Sequence, residues 1–147
     1  MNRHKGKIAA MAILLFFFAA CKKEEKFAEP GIILNKWSAA AETFDYESYK
    51  KCEAYPLEKD VFHEKFKDVY FSKINVTKIE DLREKDIKTD FAGDSFIKRN
   101  VFFECVEIDR ATKKEVQLVK GEVFFIKFKG SRADEGWLMS NKTIVRF

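Results

Sequence analysis

The sequence predicts an α+β domain: N-terminal helices packed on a curved, mainly antiparallel meander sheet. Two observations carry this. From Pro30 to about Asp68 apolar residues recur at helical spacing, and from about Val69 the period changes to two over long runs joined by short polar turns. A third observation bounds it. Without its first 20 residues the chain keeps 127, enough for one domain and hardly two. A domain of that size buries roughly two-thirds of its unfolded surface.

In chain order, Pro30 suits a first helical position, where its missing N–H costs nothing. Ile33, Trp37, Ala40, Ala41 and Phe44 follow as one apolar stripe. Asp45 is a good N-cap for a short second helix with Tyr46, Tyr49 and Cys52 on one side, and Pro56 ends it. Leu57 to Asp68 reads as a third helical piece. Strands are expected over Tyr70–Ile79, Ile87–Phe91, Phe96–Ile108, Glu115–Lys129 and Trp137–Phe147. The turns between them carry Ala92-Gly93-Asp94-Ser95, Asp109 to Lys114 and Gly130 to Gly136. On the fourth strand Phe124, Ile126 and Phe128 share one face, and Val123 and Phe125 point the other way.

The first 20 residues are a different kind of segment. Arg3, Lys5 and Lys7 form a basic start, and Ile8 to Ala20 is an uncharged apolar run of 13 residues. Spanning a bilayer takes about 20, so the run reads as a cleaved export signal rather than a permanent span. Ala19-Ala20-Cys21 resembles the lipobox of bacterial lipoproteins, with Phe18 where Leu is usual. That resemblance implies cleavage before Cys21, lipidation of its thiol and three acyl chains, more than stable anchoring requires. An ordinary secretory signal with a chance cysteine is the alternative.

Lys22 to Glu29 then forms a charged tether, reaching roughly 28 Å if extended. Lys at position 22 instead of Asp leans, by the same resemblance, toward the outer membrane, facing either the periplasm or the exterior. Three of the 28 Lys and Arg leave with the signal, so the mature chain carries 25 basic against 24 acidic residues. That balance, without a basic helix or a recognised motif, excludes nucleic acid as an expected partner.

Cys52 and Cys105 remain as an even pair in an oxidising compartment. A bridge between them is expected, worth roughly 4 kcal/mol in the loop-entropy model. Two buried free thiols are the alternative.

The helical segment Trp37-x-x-Ala40-x-x-x-Phe44-Asp45-Tyr46-Glu47-x-Tyr49, the meander and the Gly136-Trp137-Leu138 strand together resemble the cystatin-like α+β roll. That superfamily includes nuclear transport factor two and the SnoaL-like proteins. The resemblance spans most of residues 30–147 and implies a sheet wrapped around a helix, leaving a cone-shaped pocket.

Chemistry is sparse. Gly93-Asp94-Ser95-Phe96 has the look of an esterase serine block, but no histidine follows position 63 to activate the serine, so it reads as a turn. His63 sits among charged residues and reads as exposed and non-catalytic. Asp86 and Asp90 lie on or near a strand. No three- or four-ligand metal set is visible, and no cofactor is expected.

Aromatics are abundant, and Trp37, Phe103, Phe124, Phe128 and Trp137 are candidates for a pocket or an interface, a homodimer contact included. The expectation is a membrane-anchored, non-catalytic lipoprotein domain that binds a small apolar ligand or an envelope or extracellular protein. A small roll-fold enzyme with an Asp/His acid–base in the cone is one alternative, and a structural envelope component another.

Overall fold

The helical half becomes α1 (Glu25–Thr43), α2 (Tyr46–Lys50) and α3 (Lys59–Phe66). The structure, a computed structural model, describes residues 25–81, 88–90 and 92–146. The expected signal, Cys21 and Asp86 lie outside the described residues. α1 starts five residues before Pro30 rather than at it. Proline's fixed φ is itself helical, so the helix runs through Pro30 and forgoes one backbone bond. Glu25 to Glu29, expected as tether, is therefore helical. The Asp45 cap is present: its carboxylate accepts from the Ser48 N–H at 3.1 Å and the Ser48 hydroxyl at 2.6 Å.

The period-two half becomes β1 (Val69–Asp81), β2 (Lys88–Thr89), β3 (Ser95–Asp109), β4 (Glu115–Phe128) and β5 (Trp137–Arg146). Every strand pairing is antiparallel, in the order β1-β3-β4-β5, with the two-residue β2 also on β3. The meander is thus as the sequence predicts; of the expected Ile87–Phe91 strand, Lys88 and Thr89 pair with β3, while Ile87 and Phe91 lie outside the described residues. β1 slips register against β3 between Ser72 and Asn75 and again between Val76 and Lys78, with Lys73 at φ 53°. Such bulges bend a strand and increase its local twist.

α1 lies against β1, where the buried Ser38 hydroxyl donates to the Phe71 carbonyl. Trp37 stacks on Phe71 at 6.0 Å between ring centroids and meets Phe66 edge-on at 5.6 Å. Phe62, Phe103, Phe125, Val101, Val119, Val123 and Met139 belong to the same main core. The period of two explains a second, smaller cluster. Ile126 and Phe128 leave the face of Phe125 and pack with Ala54, Leu138 and Phe96.

Arg110, just past β3, ties three elements together. Its guanidinium donates to the carbonyls of Ala41 and Glu42 at the end of α1, both at 2.6 Å, and to Phe66 at the end of α3 at 2.9 Å. Its planar head lies 3.9 Å from the Phe44 ring centroid. The segment after α2 docks along β5: Met139 N–H donates to the Cys52 carbonyl and Ala54 N–H to the Met139 carbonyl, both at 2.8 Å. Glu53 and Met139 thereby form a parallel bridge.

Candidate functional site

The interior between α1 and the sheet is filled by the main core, with Trp37, Phe62, Phe66, Phe103, Phe125 and Met139 almost wholly buried. A cleft opens instead along α1. It is a groove of about 960 Å³ between α1, the α2 region and the start of β5. That volume is at the upper end of the range usual for small-molecule sites, roughly 300–1,000 Å³.

α1 builds the long wall. Ile32, Ile33, Lys36, Ala39, Ala40 and Thr43 recur at helical spacing and all line the groove. Ile32 is half exposed there, which no packing partner among the described residues explains. Asp45, Ser48, Lys51 and Cys52 form the second wall, and Glu135, Gly136 and Trp137 close the end. Gly136 takes φ 72°, a conformation that favours glycine, and this turns the chain into β5. Trp137 is fixed by Arg99, whose guanidinium sits 4.4 Å from the indole centroid and pairs with Asp81 at 2.6 Å.

The polar groups of the groove divide into two sets. Asp45 is committed to capping α2, and those hydrogen bonds from Ser48 hold its carboxyl below the usual range. Glu135 makes a two-bond pair with Arg132 at 2.8 and 2.9 Å. Thr43 donates to the Ala39 carbonyl. By contrast, Lys36 and Lys51 make no ion pair among the described residues. Lys36 is close enough to Cys52, and Lys51 to Asp45, for each charge to act on that partner.

Cys52 lines the groove but is not poised for reaction. Burial pushes its thiol up to about 11, and its Sγ donates to the Ser48 carbonyl at 3.4 Å. A thiol so rarely ionised near neutral pH is a poor nucleophile. Cys105 is likewise buried and pushed up to about 11. Both thiols are free in the structure, so the expected bridge is not formed there, and the two sit in the main core as small apolar side chains.

The five candidate aromatics do not converge. Trp37 and Phe103 belong to the main core and Phe128 to the second cluster. Phe124 lies half buried, with the Lys98 ammonium 3.1 Å from its ring centroid. Trp137 alone of the five lines the groove. His63 is half buried rather than exposed, edge-on to Phe44 at 5.3 Å, beside a shallow dish of about 430 Å³. Asp90 accepts from Tyr55 Oη at 2.8 Å and from the Ala92 and Asp94 N–H groups, so it builds the β2–β3 turn instead of entering a cone. Gly93 in that turn has φ 88°.

One charged feature escaped sequence reading. Glu53 and Lys142 form a buried ion pair at 2.6 Å, from positions 89 residues apart. Burial raises the Glu53 carboxyl and lowers the Lys142 ammonium from their ordinary values, each partly offset by the other's charge. Lys142 also donates to the Ser140 carbonyl at 3.2 Å. Glu53 Oε1 and Trp37 Nε1 each lack a hydrogen bond of good geometry, although the indole N–H is close enough to favour the carboxylate. A signal existed: Lys142 lies two residues from the half-buried Ile144, on the same face of β5.

Among the described residues, no group of three His, Cys, Asp or Glu side chains is arranged to hold a metal ion. No helix among them is long and apolar enough to cross a membrane. No family model, no curated protein and no solved structure matches this chain.

Proposed function

We propose that this chain is a bacterial lipoprotein, anchored by acyl chains on Cys21, whose cystatin-like roll is a non-catalytic module that binds a small apolar ligand. The outer membrane is its location. The observation that carries the binding role is the groove along α1, with Ile32, Ile33, Ala39, Ala40 and Trp137 presenting apolar surface to an open cleft. Binding sites of this kind are mainly apolar with a few placed polar groups. What supports binding over catalysis is the placement of reactive side chains. The Cys52 thiol is buried and pushed up to about 11, and His63 packs against Phe44 and Phe62, outside the groove.

The test uses the full chain in vesicles of unbrominated phosphatidylcholine, with the neutral methyl ester of dibrominated stearic acid as quencher. Bromine in the groove quenches Trp137 on contact. Ala39→Gln, which places a longer polar side chain at an exposed groove position, is expected to abolish that saturable quenching while leaving stability near wild type. Equal quenching in wild type and variant refutes the site. Cys21→Ala in the same cells is expected to leave an unprocessed precursor that takes up no lipid label.

A further inference from the structure

We infer that the groove takes a membrane-derived amphiphile with one acyl chain and an acidic head, held by Lys36 and Lys51. This rests on the apolar-ligand reading above and adds the chemical class of the ligand.

Charge bookkeeping within the groove comes first. Three carboxylates and two ammonium groups line it. Asp45 is engaged by Ser48 and Glu135 by Arg132, so neither is available to a ligand. Glu29 stands at the opposite end, seven residues along α1 from Lys36. Lys36 and Lys51, which make no ion pair among the described residues, are thus the cations left to a ligand, Lys36 acting on Cys52 from the α1 wall and Lys51 preceding Cys52 on the other. Glu135 is neutralised by Arg132, whereas Asp45, hydrogen-bonded by a neutral serine, keeps its charge beside Lys51, so an anionic head is drawn chiefly to the Lys36 side of the pair.

Shape selects the rest of the molecule. From Glu29 to Thr43 the α1 wall spans 14 helical steps, roughly 21 Å at 1.5 Å per residue. Ile32 and Ile33 lie on the N-terminal side of Lys36, so the tail runs along them while the head stays at the lysines, and Trp137 lines the same groove. Lys36 stands midway along that wall, so seven helical steps, roughly 10 Å, remain on the tail side for a single acyl chain to enter.

The source follows from where the chain enters. α1 begins at Glu25, and three residues, Lys22 to Glu24, separate it from Cys21. Four Cα steps reach at most about 14 Å. An anchored domain therefore carries the tail end of its groove beside the bilayer surface, where amphiphiles are concentrated.

The experiment compares dibrominated stearic acid with its methyl ester on the full chain in phosphatidylcholine vesicles, in mildly alkaline buffer where the carboxyl is ionised. The acid is expected to half-saturate Trp137 quenching at a concentration at least about tenfold below the ester, the equivalent of about 1.4 kcal/mol. Lys36→Gln with Lys51→Gln is expected to remove that preference. Lys113→Gln with Lys114→Gln, an equal charge change at exposed positions outside the groove, is expected to keep it.

If acid and ester quench alike, the acidic head is refuted while the apolar groove stands. If the two double variants lose the preference equally, general surface charge explains it and the lysine site is refuted. Quenching by neither probe overturns both the groove reading and this inference, and leaves the cleft to a protein partner.

Discussion

Replacing Arg110 tests how the helices are held on the sheet. Its guanidinium satisfies three carbonyls at the ends of α1 and α3, positions where a helix leaves acceptors without internal partners. Hydrogen bonds to a charged group are worth about 1.5–3 kcal/mol each, but Arg110 is half buried, so water can replace part of them. The cation at two helix C-termini adds about 0.3–1 kcal/mol, and stacking on Phe44 about 0.5–1.

These terms are not additive, and a loss of about 3 kcal/mol for Arg110→Ala is the expected result. Arg110→Lys keeps the charge but not the planar fork, and is expected to recover about 1 kcal/mol of it. The assay is urea unfolding followed by tryptophan fluorescence, with the midpoint lowered and the slope unchanged. If both variants unfold within about 0.5 kcal/mol of wild type, the Arg110 network contributes nothing net, and the account of the helix junction is wrong.

Three further outcomes are expected. Gly121 lies opposite Phe103 across β3 and β4, and a methyl there would come within 3.0 Å of three Phe103 ring atoms. Gly121→Ala should cost about 1–3 kcal/mol, partly recovered when Phe103 becomes Leu; no loss in calorimetry would disprove the close packing. Lys142→Met leaves Glu53 buried without its partner, at a cost of about 3 kcal/mol near neutral pH. The Glu53 carboxyl is raised in the folded state, mainly by burial, and losing Lys142 raises it further. A carboxyl with a raised folded pKa favours folding while protonated. The deficit should therefore be smallest below its ordinary value of 4.5 and grow as pH rises through the folded value. A pH-independent deficit would contradict this. Maleimide should label Cys52 and Cys105 only after unfolding without reductant, because both are buried thiols pushed up to about 11. Finding no label even when unfolded would reveal a bridge.

The elements whose signals are local were legible. The Asp45 cap, the change of period near Val69 and the Asp109–Lys114 turn are written in adjacent residues, and the structure places them within a residue or two. Pro30 misled because a proline at a helix start and one a turn further in look alike without knowing how the preceding residues fold. The groove was not legible. Lys36 and Lys51 read as ordinary surface lysines until α2 folds back beside α1. Arg110 reads as a turn residue, since its three acceptors lie 44 to 69 positions earlier in the chain. The aromatic count likewise carried no address: alternation divides Phe125 from Phe128, but cannot say which face is closed by Ala54 and which by α1. Cysteine number implied a pair without fixing the geometry a bond requires.

The docking of Glu53 against Met139 has a consequence for life at high local density. An open sheet offers two rows of unpaired backbone groups, each a template on which another chain can add a strand. On β5 the 52–54 segment already occupies the stretch around Met139. On β1 the slips at Ser72–Asn75 and Val76–Lys78 break the even spacing a neighbouring strand would need, and Lys73 and Lys78 add charge there. At high protein concentration such templates meet one another often. This sheet can stay open because its borders are interrupted where strand-to-strand accretion would begin.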